Sequence, residues 1–189
     1  MRRERELSRV TKRYLARYRE IFEEMKRAMT AAPNEESIAQ DFIVQMIPHH
    51  RAAIEMSENL LRFTTWLPLE RVAENIVTAQ TEGIAEMERA LAQCRLPAST
   101  PAQAEQYGAR LAEIENTMFR EMGNAPEDNS INVDFIREMI PHHRGAIRMA
   151  ENALRFPLCE ELKPILQNII RTQTEGIRTM QRLYPHAVC

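Results

Sequence analysis

The segment Asp41–Phe63, DFIVQMIPHHRAAIEMSENLLRF, returns as DFIREMIPHHRGAIRMAENALRF at Asp134–Phe156, identical at 17 of 23 positions with a constant offset of 93. Self-similarity on this scale constrains the fold more than any local propensity, because each copy must build the same unit. The offset extends further. NIVTAQTEGIAEM at Asn75–Met87 returns as NIIRTQTEGIRTM at Asn168–Met180, and Met25 and Met29 return as Met118 and Met122. The chain is therefore two copies of a three-segment unit, residues 1–95 and 96–189, expected to pack as one compact body.

Each segment has helical periodicity. Tyr14, Tyr18, Ile21, Phe22, Met25, Ala28 and Met29 form one stripe in a first helix over about Glu4–Ala31, which Pro33 ends. The second helix opens at Ser37, with Gln40 at capping-box spacing. It buries Phe42, Ile43, Met46, His49, His50, Ala53, Ser57, Leu60 and Leu61. The third, from Thr65 to about Leu91, buries Leu69, Val72, Ala73, Ile76, Val77, Gln80, Gly83, Ile84 and Met87. Leu96–Pro101 links the copies, and Thr100-Pro101-Ala102-Gln103 carries a full set of helix-start signals. Three more helices follow, near Ala102–Met122, Ser130–Phe156 and Glu160–Leu183. No segment alternates as a strand would. The fold class is all-α: six helices in up-down order, a helical bundle.

The methionines hold their places while plain core positions drift. Every Met but the first belongs to a pair: Met25/Met118, Met29/Met122, Met46/Met139, Met56/Met149 and Met87/Met180. Four of five histidines pair as well, His49/His142 and His50/His143. Meanwhile Val72 becomes Ile165, Ala73 becomes Leu166 and Leu60 becomes Ala153. A core accepts Met for Leu readily, so packing alone does not account for the constancy of Met. On a helix, His49 and His50 fall three and four residues after Met46, so one thioether and two imidazoles share a face. Pro48 lies among them and cannot donate to the Val44 carbonyl, which predicts a kink. Met25 and Met29 share a face of the first helix, and Gln80, Gly83 and Met87 one of the third.

Thioethers are soft ligands that pair with monovalent copper, and imidazole accepts copper too. The set brings no negative charge, unlike the carboxylate sites of hard cations. The predicted cofactor is thus Cu(I), with Ag(I) as a surrogate. The candidate ligands are Met46, His49, His50, Met139, His142 and His143, assisted by Met25, Met29, Met87, Met118, Met122 and Met180. Met56 and Met149 lie two turns beyond the His, ~10 Å away, and are weaker candidates. Two other readings stand beside this one. In the first, the chain is a metal-free structural or interaction module whose methionines are core filler and whose histidines are satisfied core residues. In the second, it is a ferritin-like di-iron oxidase, which needs Glu-x-x-His on two helices. No His here has Glu three residues before it, and no nucleophile motif or phosphate loop occurs.

The net charge of −2 leaves no electrostatic footprint for nucleic acid. The start, MRRERELSRV, is charged with no apolar run behind it, and no stretch of 18 apolar residues occurs, which predicts a cytoplasmic, non-membrane protein. Cys94, Cys159 and Cys189 are scattered, which predicts reduced thiols. A homo-oligomer is compatible with this reading, and so is a frayed tail at His186 and Cys189.

The two MIPHH cores, Met46–His50 and Met139–His143, with Phe-Ile before and Ala-Ile-x-Met after, resemble the hallmark of a bacterial family called domain of unknown function 305. The resemblance covers nearly the whole chain past Tyr14. It implies a ferritin-like helical fold and copper binding through Met and His, with the two MIPHH cores as ligands. Two departures stand out. Many relatives are exported, and relatives often carry Glu where this chain has Gly83 and Gly176.

Overall fold

The computed structural model describes residues 6–32, 37–93 and 98–187. Six helices follow one another: α1 Arg9–Thr30, α2 Ile38–Leu61, α3 Leu67–Gln93, α4 Pro101–Gly123, α5 Ile131–Ala153 and α6 Leu162–Leu183. A single 3₁₀ turn, Tyr184–His186, closes the chain. There is no strand among the described residues.

Local chemistry sets the helix starts. Ser8 caps α1, its hydroxyl accepting from the Thr11 N–H at 3.0 Å. Thr100 and Gln103 form the expected capping box at α4, each side chain taking the other residue's N–H, with Pro101 at the first helical position. The box expected at Ser37 does not form. Ser37 is only 3 % exposed and its hydroxyl has no hydrogen-bond partner among the described residues. Thr64, rather than Thr65, turns the chain into α3 by accepting from the Trp66 N–H at 3.2 Å. Pro33, expected to stop α1, lies outside the described residues. So do Cys94 and Cys189.

Within each copy, α1 packs on α2 and α2 on α3, and likewise α4 on α5 and α5 on α6. Between copies, α2 packs on α5 and α3 on α6. Helices α2, α3, α5 and α6 thus make a four-helix centre, with α1 and α4 laid outside it. This explains why α2 and α5 are buried on more faces than one amphipathic stripe. Beyond the expected positions, Gln45, Ala52, Met56 and Asn59 are buried in α2. Leu61, Val77 and Ile84 are only half-buried, and Ala28 is exposed.

Two buried asparagines tie the outer helices down. Asn59 donates its amide to the Tyr14 carbonyl at 3.1 Å, and Asn152 to the Tyr107 carbonyl at 3.2 Å. Tyr14 meets Phe63 edge to face at 6.0 Å, and Tyr107 meets Phe156 at 5.8 Å. The hydroxyls part company. Tyr14 donates to the buried Glu138 at 2.7 Å, whereas the Tyr107 hydroxyl has no hydrogen-bond partner among the described residues.

The expectation of reduced thiols fails at Cys159, which is disulfide-bonded.

Candidate functional site

The MIPHH cores meet at the crossing of α2 and α5. Helix runs unbroken through Pro48 and Pro141. Neither proline has an N–H, so the Val44 and Arg137 carbonyls lose their helical donors. One residue past each proline, the histidines turn inward and touch. The rings of His49 and His142 lie 3.6 Å apart, centre to centre, at 31°. His49 donates from Nε2 to the His142 carbonyl at 3.2 Å, and His142 from Nε2 to the His49 carbonyl at 3.1 Å. A carbonyl only accepts, so Nε2 carries the proton in both rings and Nδ1 is left as a lone pair.

His50 and His143 point the other way, to α3 and α6. Their rings lie over Gly83 and Gly176. A Cβ on Gly83 would stand 3.1 Å from His50 Nε2, and one on Gly176 2.9 Å from His143 Nε2. Both glycines therefore make room for an imidazole. Gln80 and Gln173 lie one helical turn before these glycines, buried, each with an unpartnered side-chain oxygen. A cavity of about 280 Å³ between α3 and α6 reaches His143, Gln80 and Gln173.

All four rings are at most 2 % exposed. Burial drives their pKa values down, to about 3 for His50 and about 4 for His142. His49 and His143 also lie well below the usual range, first through burial and then through neighbouring histidines. The four imidazoles are neutral at pH 7. The Nδ1 atom of every one is buried without a hydrogen-bond partner among the described residues. A buried polar atom left unpaired costs about 1–3 kcal/mol, and four on two crossing helices form an unusual concentration.

Every candidate methionine is buried to 2 % exposure or less. Met46 and Met139 lie one turn before the histidines on the same helices. Met118 packs onto the α5 backbone: a Cβ on Gly145, three residues after His142, would stand 2.1 Å from its sulfur. The first copy has Ala52 there, so Met25 cannot approach α2 in the same way. Sequence reasoning missed the Tyr14/Tyr107 and Asn59/Asn152 pairs, although both recur at the offset of 93. No group of three or more His, Cys, Asp or Glu side chains is arranged to hold a metal among the described residues.

The model of the family described as Domain of unknown function (DUF305) matches residues 23–184. The chain belongs to that family. A DUF305 fragment from Deinococcus radiodurans, known as a crystal structure, is similar to it with a TM-score of 0.56 and 24% sequence identity. That likeness covers 79% of this chain and 95% of the fragment, and it shows a shared fold. Comparison with curated proteins gives no match. No described helix of this DUF305 chain is long and apolar enough to cross a membrane.

Proposed function

We propose that this DUF305 protein binds a soft monovalent cation, Cu(I) in the first place and Ag(I) by the same chemistry, and so sequesters it. The observation that carries the reading is the set of four buried Nδ1 atoms without partners in a core that also holds ten buried thioethers. Neutral imidazole and thioether donors suit a soft, low-charge ion. Buried neutral histidines need no proton displaced before they can ligate.

The ligands would be Met46, His49 and His50 in one copy and Met139, His142 and His143 in the other, with Met25, Met29, Met87, Met118, Met122 and Met180 as adjoining sulfur donors. His50 lies against Gly83 of α3 and His143 against Gly176 of α6, which supports one site per copy over a shared centre. His49 and His142 also have a second role, as a hydrogen-bonded staple between α2 and α5. The staple alone would suit a metal-free scaffold, but it uses Nε2 and leaves the four Nδ1 atoms unexplained.

The test is an anaerobic titration with Cu(I) against a competing chelator, with X-ray absorption on the loaded protein. Binding near two equivalents with nitrogen and sulfur ligation is the expected result. His50→Ala and His143→Ala should each remove about one equivalent. Oxygen-only ligation, or no binding stronger than the chelator's, would overturn the proposal and leave the scaffold reading.

A further inference from the structure

The second copy contains a cavity of about 580 Å³ between α4, α5 and the turn after α6. Small-molecule sites commonly span roughly 300–1,000 Å³. Its wall is mainly apolar, with Ile136, Ile140, Pro141 and the Tyr184 ring. Its charged lining is three arginines, Arg120, Arg137 and Arg144, against one acid, Glu121.

Comparison of the copies shows how this wall was made. Arg144 corresponds to Arg51, and Gln181 to Glu88. In the first copy the Arg51 guanidinium faces the Glu88 carboxylate at 3.9 Å. In the second copy that carboxylate is an amide, and no ion pair or hydrogen bond reaches the Arg144 side chain among the described residues. Arg120 likewise has no ion pair. Arg137 replaces Val44 and Tyr184 replaces Leu91. Arg137 is already committed. It donates to the Pro126 carbonyl and to Asp128 at 2.9 Å each, and to the Tyr184 hydroxyl at 3.1 Å. It therefore braces the wall, holding the α4–α5 connection and Tyr184 in place, while Arg120 and Arg144 form no ion pair among the described residues.

We propose that this cavity binds a small amphiphilic carboxylate. The head group pairs with Arg144, with the Arg120 charge in the same wall, and the hydrocarbon body lies against Ile140, Pro141 and Tyr184. An inorganic anion would gain nothing from the apolar wall, and a neutral hydrocarbon nothing from the two guanidiniums. Guanidinium–carboxylate pairing supplies directional hydrogen bonds, and burial of the chain supplies the remainder in proportion to its apolar area. The site uses none of the Met or His groups of the core.

The experiment is a backbone NMR titration of the full chain with octanoate, and in parallel with octan-1-ol as the uncharged match. Saturable shifts centred on Ile140 and Tyr184 are expected with octanoate, with octanol about tenfold weaker. Arg144→Gln should weaken octanoate about tenfold and leave octanol unchanged, while Arg51→Gln, in the other copy, should change neither. Both positions are exposed, so both variants should fold, and their spectra verify this. Equal binding of acid and alcohol, indifference to Arg144→Gln, or shifts centred elsewhere would overturn the proposal. So would the absence of octanoate binding up to its solubility limit.

Discussion

A methyl group on Gly176 would stand 2.9 Å from His143, and one on Gly83 3.1 Å from His50. Glycine costs an α-helix about 1 kcal/mol against alanine, so replacement should stabilise unless something is in the way. Here an imidazole is in the way. Gly176→Ala is expected to destabilise by roughly 1–3 kcal/mol through overpacking, less the propensity gain, and Gly83→Ala by less. Gly108 is exposed, with nothing within 4 Å of its missing Cβ. Gly108→Ala should therefore move the other way, by about +1 kcal/mol. Urea denaturation of the three variants measures this, and one common sign would refute the account. At Glu115, burial raises the carboxyl pKa to about 7. The unfolded chain releases that proton near the ordinary carboxyl value of 4.5. Between those pH values the folded form holds the proton and the unfolded form does not, so stability falls as pH rises through this window. Glu115→Gln should match the parent near pH 4 and exceed it at about pH 8, read from melting temperatures across pH.

At the level of elements, the contact between α2 and α5 rests on the reciprocal histidine bonds. His49→Ala and His142→Ala should each cost about 2–4 kcal/mol, from a lost hydrogen bond and a cavity. The two side chains touch and answer each other's backbone, so the double variant should cost less than the sum, with a coupling of about 0.5–3 kcal/mol. Strict additivity would dissolve the staple. The elements themselves were legible in the sequence. Periodicity located all six helices, and Thr100–Gln103 announced the start of α4 correctly. Helix ends were less legible. Ser37 has the right neighbours for a cap but is buried with its hydroxyl unpaired among the described residues, because tertiary packing overrode local preference. The inward turn of His49, His50, His142 and His143 could be read from spacing. Their division into a central stacked pair and an outer pair over glycine could not, because it depends on how α2 crosses α5.

Across the whole molecule, the disulfide at Cys159 changes the expectation for the chain's chemistry. Disulfides persist in oxidising surroundings and are rare in reducing cytosol. Thiol titration of unfolded, unreduced protein should find fewer than the three thiols that the sequence holds. Cys159→Ser should lower stability by about 2–4 kcal/mol. Three thiols before reduction would remove the bond from the account. The arrangement of His49 and His142 has a consequence for ancestry. Each copy offers the other the same donor and receives it on the same acceptor, as the two faces of an isologous dimer do. A chain carrying only one repeat already owns both halves of that exchange. Residues 98–187 produced alone should thus pair with themselves in solution, with His142 bonding the His142 carbonyl of a second molecule. Sedimentation at a twofold mass would mark the present chain as a dimer made permanent by duplication of its gene.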